Sequence, residues 1–352
     1  MKRLDSEDTV ADQSGPATTA PHAPRAAVPP IAPTMPSPGP VHATNGSHGP
    51  VVEGAAGARP PRSRLPAPLV LLRPHQWVKN VFVLIVPLAL DAAALWDHLV
   101  QALVTVAAFT AASSAVYVLN DWLDRKQDRL HPVKRHRPLA GGRIGPFGAL
   151  LLGVGCLAVA ATSGALLPPP VRAAIAGYLV LNLAYCLALK HYPLVDVSVV
   201  ALGFVLRAVA GCLAVAAPFS PTLIICVYCA CLLLALGKRR HELTTANLRG
   251  QAAAQRPALS GYSIPLLDQL LAVLLATTLI SYELFILSES HPHAAVLAVV
   301  TVPFAIFALS RYMQLVSVLR GGGEPGRDVF ADAPLVINAV LWVASLAVGR
   351  LA

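Results

Sequence analysis

From Trp77 to the C-terminus the chain is a succession of apolar stretches. Each is near the roughly 20 residues that an α-helix needs to cross the hydrocarbon core of a bilayer. Nine are read, at about 77–95, 99–119, 146–167, 171–189, 194–217, 219–237, 265–287, 293–313 and 333–351. The first is interrupted by Pro87 and has a short apolar core. In lipid, every backbone N–H and C=O must be paired within the segment, so such stretches fold as helices. Only 13% of the residues are charged, whereas the surface of a soluble domain draws on about 25%. An ordinary soluble globule is therefore excluded. The 55% hydrophobic content likewise excludes a chain disordered throughout. The expected class is all-α: a polytopic integral membrane protein.

Residues 1–68 differ. They are rich in Pro, Ala and Ser, show no sustained apolar period, and read as a disordered tail ahead of a membrane domain at 69–352. Lys2 and Arg3 lead into Asp5, Glu7 and Asp8 rather than an apolar run, so no secretory signal is expected. The formal net charge of +9 is not read as a nucleic-acid signal, because the basic residues are spread over short connectors. Arg125 to Arg143, Lys190, Lys238 to Arg256, and Arg320 with Arg327 fall on one side of the alternating spans; Arg172 and Arg350 fall on the other. That asymmetry predicts that the tail and the basic connectors are cytoplasmic; the expected location is the plasma (inner) membrane. The six cysteines all lie in apolar stretches and read as small packing residues.

The segment with most chemistry is Asn120-Asp121-Trp122-Leu123-Asp124, followed by Asp128, at the end of the second span. At about 100° per residue these four polar positions fall near 0°, 100°, 40° and 80°, so they share one helix face over about 12 Å. Three carboxylates on one face at a membrane boundary repel each other and are costly. A divalent cation would relieve both problems, and oxygen ligands suit Mg²⁺. The alternative is a solvated acidic helix end neutralised by Arg125 and Arg129. A basic cluster of Arg129, Lys134, Arg135 and Arg137 follows, either to hold phosphate oxygens or to serve only as a topology signal.

Asp196 and Arg207 lie on nearly one face of the fifth span but about 16 Å apart along it, too far to pair directly. Arg207 lies well inside the bilayer thickness and needs an anionic partner or a wet cavity. Tyr185 to Lys190, Lys238 to Glu242, and Arg73 to Asn80 add polar groups at the same side. Gly321 to Pro325 reads as a flexible connector, and Glu283 as a structural polar contact near the outer end of its span. No Ser/His/Asp order, dinucleotide-binding fingerprint or phosphate-binding loop is present.

Taken together, several motifs resemble the UbiA superfamily of intramembrane transferases. They are Arg73-Pro74-x-Gln76-Trp77-x-Lys79-Asn80, Asn120 to Asp128, and His131-Pro132-x-Lys134-x-x-Arg137-Pro138. Tyr185 to Lys190, Gly203 to Ala208, Leu236 to Arg239 with Glu242, and Gly322 to Pro325 complete the set. The resemblance covers about 69–352. It implies a nine-helix bundle with a central cavity open to the cytoplasmic side. It also implies Mg²⁺ on Asp121, Asp124 and Asp128, with Asn120 orienting a ligand or donor oxygen. Members that use prenyl diphosphates carry a second Asp-rich motif after the sixth span, where this chain has Lys238, Arg239 and Glu242.

That departure resembles the superfamily's phosphoribosyl-transferring branch. The implied reaction moves 5-phosphoribosyl from phosphoribosyl diphosphate to a polyprenyl phosphate of decaprenyl type, releasing pyrophosphate, for arabinan precursors of the cell envelope. Lys79, Lys134, Arg137, Tyr185, Lys190, Asp196, Arg207, Lys238, Arg239 and Glu242 then fall to substrate binding. The attacking phosphate is already an anion, so no general base is required. Two other readings stay open. One is transfer of a prenyl chain to an aromatic acceptor. The other is a membrane transporter, against which stands the clustering of charge at one face. A homo-oligomer is compatible with either reading.

Overall fold

The computed structural model describes residues 65–130, 134–248, 257–288, 294–319 and 321–351. The tail up to residue 64, His131, Pro132, and the connector residues Arg249, Arg256 and Arg320 lie outside the described residues. All regular structure among the described residues is helical: α1 (Ala67–Leu72), α2 (Phe82–Leu90), α3 (Ala92–Asp97), α4 (Leu99–Leu130), α5 (Pro146–Ala165), α6 (Pro169–Leu187), α7 (Val195–Ala214), α8 (Pro221–Leu248), α9 (Ile264–Ser288), α10 (Ala294–Ser317), α11 (Pro325–Ala331) and α12 (Ala333–Leu351). Among the described residues, eight segments are long and apolar enough to cross a bilayer: Ala67–Leu90 and α4 to α10. The apolar part of α12, Ala333–Val348, is shorter.

The first span differs from the expected 77–95. It is built from three pieces: α1, a 3-10 helix at Pro74–Val81, and α2. The break falls at Arg73-Pro74 and not at Pro87, which sits inside α2. Pro74 lacks an N–H and crowds the residue before it. Arg73 takes a left-handed conformation (φ 54°, ψ 62°) that few residues with a Cβ adopt.

Two helices outrun the bilayer. The 32 residues of α4 and the 28 of α8 correspond to roughly 48 and 42 Å, against a hydrocarbon core of about 30 Å. Their polar ends, Asn120–Asp128 and Lys238–Glu242, can therefore project beyond the apolar slab without breaking the helix. Large apolar side chains on the outer faces of α5 and α12, such as Val154, Leu157, Val340 and Val343, are exposed, as lipid-facing residues are in the absence of lipid.

α7 is the hub, packing against α2, α4, α6 and α8. Gly211 lets the backbone of α2 come into contact, since a Cβ there would overlap the carbonyl of Val83. Gly211→Ala is thus expected to destabilise the fold by about 1–3 kcal/mol. Gly155→Ala on α5, where a Cβ meets nothing within 4 Å, should be neutral or stabilising. Thermal unfolding of the two variants in detergent checks the contrast.

The Gly321–Gly323 connector, expected to be flexible, is pinned. The Gly321 N–H donates to Leu315 O (2.8 Å), the Gly322 N–H to Asp328 Oδ2 (2.7 Å), and His241 Nδ1 lies 2.9 Å from Gly321 O. Glu283 is exposed and makes no side-chain hydrogen bond or ion pair among the described residues. Its neighbour Tyr282 does the bonding instead, donating to Thr301 (2.8 Å) and accepting from Trp342 (2.8 Å).

Candidate active site at the acidic end of α4

The helical periodicity expected for Asn120 to Asp128 holds, and burial grades the face. Asp121 and Asp128 are 3% and 4% exposed, while Asn120 and Asp124 are half-buried. Asp121 Oδ1 accepts from Arg73 Nη2 (2.5 Å) and from Arg137 Nη1 (3.1 Å). The same Arg137 Nη1 donates to Asp128 Oδ2 (2.7 Å). Asp124 is engaged separately, by Lys190 Nζ at 2.6 Å. Asp121 and Asp128 thus converge on one cationic nitrogen. Asp124 belongs to a second ion pair on the same helix end.

Arg73 was not singled out as a site residue. Its left-handed backbone and its Asp121 contact place strain at a charged site, where such strain is commonly found. The clue was its position before a proline at the start of a polar motif. Its guanidinium also stacks over Tyr117 at 5.1 Å. Lys134 lies half-buried in the 3-10 helix Lys134–His136, whose first carbonyl accepts from the Arg137 N–H (2.9 Å). That turn sets where Arg137 leaves the loop.

Of the two surroundings expected for Arg207, an anionic partner or a wet cavity, the first is absent among the described residues. Arg207 is 4% exposed and, among the described residues, bonds neutral groups: Asn80 Oδ1 (2.7 Å), Gly203 O (2.8 Å) and the Tyr178 hydroxyl (3.0 Å). The rings of Tyr178, Phe204 and Phe109 lie 4.6, 5.6 and 5.8 Å from its guanidinium carbon. Asn80 is oriented in turn by donating to Thr110 Oγ1 (2.9 Å). Half-buried Lys79 lies within electrostatic reach of Lys238, Arg207 and Arg73. Among the described residues, neither Lys79, Arg207 nor Lys238 has a carboxylate partner. Arg207 is buried and Lys79 half-buried, so among the described residues their positive charge is not neutralised by a carboxylate, whereas Lys238 is exposed.

Asp196, Arg239 and Glu242, grouped with substrate binding in the sequence, are joined to one another. Arg239 Nε donates to Asp196 Oδ2 (2.8 Å) and Nη1 to Glu242 Oε2 (2.6 Å). Asp196 is fully buried and Arg239 5% exposed, so this guanidinium is largely spent on carboxylates. Tyr185 is half-buried beside Arg239. Tyr262 also bonds Asp196, and it was missed because it lies in a connector with no recognisable spacing.

A bundle of membrane-length helices with an Asp-rich helix end ringed by basic side chains defines an intramembrane transferase fold. The chain belongs to the UbiA prenyltransferase family, whose sequence profile matches residues 81–320. It is 34% identical over 295 residues to a decaprenyl-phosphate phosphoribosyltransferase of Mycobacterium tuberculosis, covering 82% of this chain and 95% of that protein. A decaprenyl-phosphate phosphoribosyltransferase of Corynebacterium glutamicum is 33% identical over 313 residues, covering 85% of this chain and 91% of that protein. Among solved structures, a UbiA homolog from Archaeoglobus fulgidus bound to GPP and Mg²⁺ superposes with a TM-score of 0.60. It is 20% identical and covers 81% of this chain and 100% of that one.

Proposed function

We propose that the chain transfers 5-phosphoribosyl from phosphoribosyl diphosphate to a polyprenyl phosphate. The ribose C1–O bond to the diphosphate breaks, a C1–O bond to the lipid phosphate forms, and pyrophosphate leaves. The observation that carries this reading is the buried positive charge of Arg207, held by neutral groups within electrostatic reach of Lys79. A buried cation without a counter-ion is costly, and two phosphorylated substrates would supply the missing anions. The near full-length similarity to decaprenyl-phosphate phosphoribosyltransferases supports the choice of donor and acceptor.

The acidic face fits Mg²⁺. Two carboxylates already converge on one cationic nitrogen of Arg137. Mg²⁺ is commonly held by one or two carboxylates, with waters and substrate phosphates completing its shell. Among the described residues no three His, Cys, Asp or Glu side chains group closely enough to form an all-protein cage. Asp121 and Asp128 would hold the ion, with Asp124 as the third acidic group and Asn120 orienting a donor oxygen. When bound, the ion supplies Lewis-acid neutralisation of the departing pyrophosphate.

The chain's own residues do the rest. Arg73, Arg137 and Lys190, which neutralise the carboxylates in this structure, become available to diphosphate oxygens once those carboxylates are otherwise engaged. Arg207, Lys79 and Lys238 take the remaining phosphate charge, and Lys134, half-buried in the turn after α4, adds to it. The polyprenyl chain lies in lipid between helices, and the site opens to the cytoplasm, where phosphoribosyl diphosphate is met. No side chain needs to remove a proton from the acceptor.

Purified protein given labelled phosphoribosyl diphosphate, polyprenyl phosphate and Mg²⁺ should form labelled lipid and pyrophosphate, and chelation should abolish both. Supplying a prenyl diphosphate with an aromatic acceptor in the same assay tests the rival transfer. Prenylated product with no phosphoribosyl lipid would overturn the proposal.

A further inference from the structure

Tyr262 belongs to none of the sequence motifs, yet it joins the two connectors that flank α7 and α9. Its hydroxyl donates to Asp196 Oδ1 (2.9 Å) and accepts the backbone N–H of Leu194 (2.6 Å). The side chain is 7% exposed. Burial raises its pKa, as does the charge of Asp196, so the phenol keeps its proton and remains a donor.

Leu194 sits at φ 64°, ψ −44°, a conformation that a residue with a Cβ adopts only where its surroundings hold it. Two restraints are visible. One is the Tyr262 hydroxyl on the Leu194 N–H. The other is Pro193 seated on Gly261, where a Cβ would overlap the proline ring. This strained corner ends the turn that begins with the 3-10 helix Leu189–His191. That helix carries Lys190, whose ammonium reaches Asp124 at 2.6 Å. The far oxygen of Asp196 is tied by Arg239 to α8. The chain of contacts therefore runs from α8 through Asp196 and Tyr262 to the corner and on to Lys190.

We infer that Tyr262 is a positioning residue for transfer: through Asp196 and the Leu194 N–H it holds the 189–194 turn so that Lys190 stands over Asp124. This deepens the proposed function and rests on it for the identity of the donor. The hydroxyl acts at a distance and touches no substrate. Its loss leaves Leu194 strained with an unpaired N–H, and the turn relaxes.

The test uses full-length Tyr262→Phe, Lys190→Ala and the double variant. Tyr262→Phe should raise KM for phosphoribosyl diphosphate about tenfold, the worth of one good hydrogen bond, with KM for the lipid acceptor unchanged. In the Lys190→Ala background the same change should add less than about twofold, since no ammonium remains to be placed. An unchanged donor KM, or losses that multiply in the double variant, would overturn the assignment.

Amine-reactive labelling read by mass spectrometry gives a second readout that needs no turnover. Tyr262→Phe should make Lys190 react several-fold faster, with exposed Lys126 unchanged. Equal rates at Lys190 count against the inference. Wild-type protein that forms no phosphoribosyl lipid sinks the proposed function alone, and the labelling rates then decide the role of Tyr262.

Discussion

Asp121→Asn is expected to lower the transfer rate by about 100- to 1000-fold, the scale seen when one preorganised electrostatic contact to a developing charge is lost. Asp121 is the most committed of the acidic groups. It is 3% exposed and accepts from both Arg73 and Arg137. Removing its charge leaves two guanidiniums around one remaining buried carboxylate, Asp128, and the local potential turns strongly positive. Two consequences separate this from general unfolding. The Mg²⁺ concentration needed for half-maximal rate should rise, and phosphoribosyl diphosphate should still bind. A variant with undiminished turnover at low Mg²⁺ would remove the acidic face from the reaction. Asp124→Asn should cost less, because among the described residues Asp124 has a single cationic partner, Lys190, and is itself a quarter exposed.

Arg207→Gln carries the second large effect. A charged hydrogen bond is worth about 1.5–3 kcal/mol, so KM for the substrate whose phosphate it meets should rise by about tenfold to a hundredfold. Stability of the ligand-free protein should move the other way or stay level. Glutamine can still donate to Asn80 or Tyr178, and an unpaired buried charge is removed. A melting curve without substrate and steady-state kinetics against each substrate in turn give both halves. Equal KM values with wild type for donor and acceptor would show that the cation serves only the packing of α7 against Tyr178 and Asn80.

The contrast between Arg207 and Arg239 shows what the sequence conveyed. Both are cations in or near apolar runs, and both were read as substrate-binding. Only the packed structure separates them: Arg239 faces Asp196 and Glu242, whereas Arg207 faces an amide, a carbonyl and a phenol. Likewise the acidic face of α4 was legible, because helical phase is set by local spacing. The partition of that face into an Asp121–Asp128 pair and a separate Asp124 was not. That division depends on where Arg137 and Lys190 arrive from other elements. Arg73 stood in a recognised motif but was given no role, because its contact with Asp121 exists only after folding, and Tyr262 lies in a connector with no recognisable spacing.

By itself the sequence determined the all-helical class, most of the membrane-length segments and the helix ends at which polar residues collect. These follow from hydropathy and from a period of about 3.6 residues, which are properties of contiguous chain. Tertiary structure alone decided which charge meets which. The pairs that make the site join residues 48, 66 and 127 positions apart: Arg73 with Asp121, Lys190 with Asp124, and Arg207 with Asn80. Such pairings are set by how close two helices can approach. At α2 and α7 that distance is governed by the missing Cβ of Gly211, a packing fact that no local pattern announces.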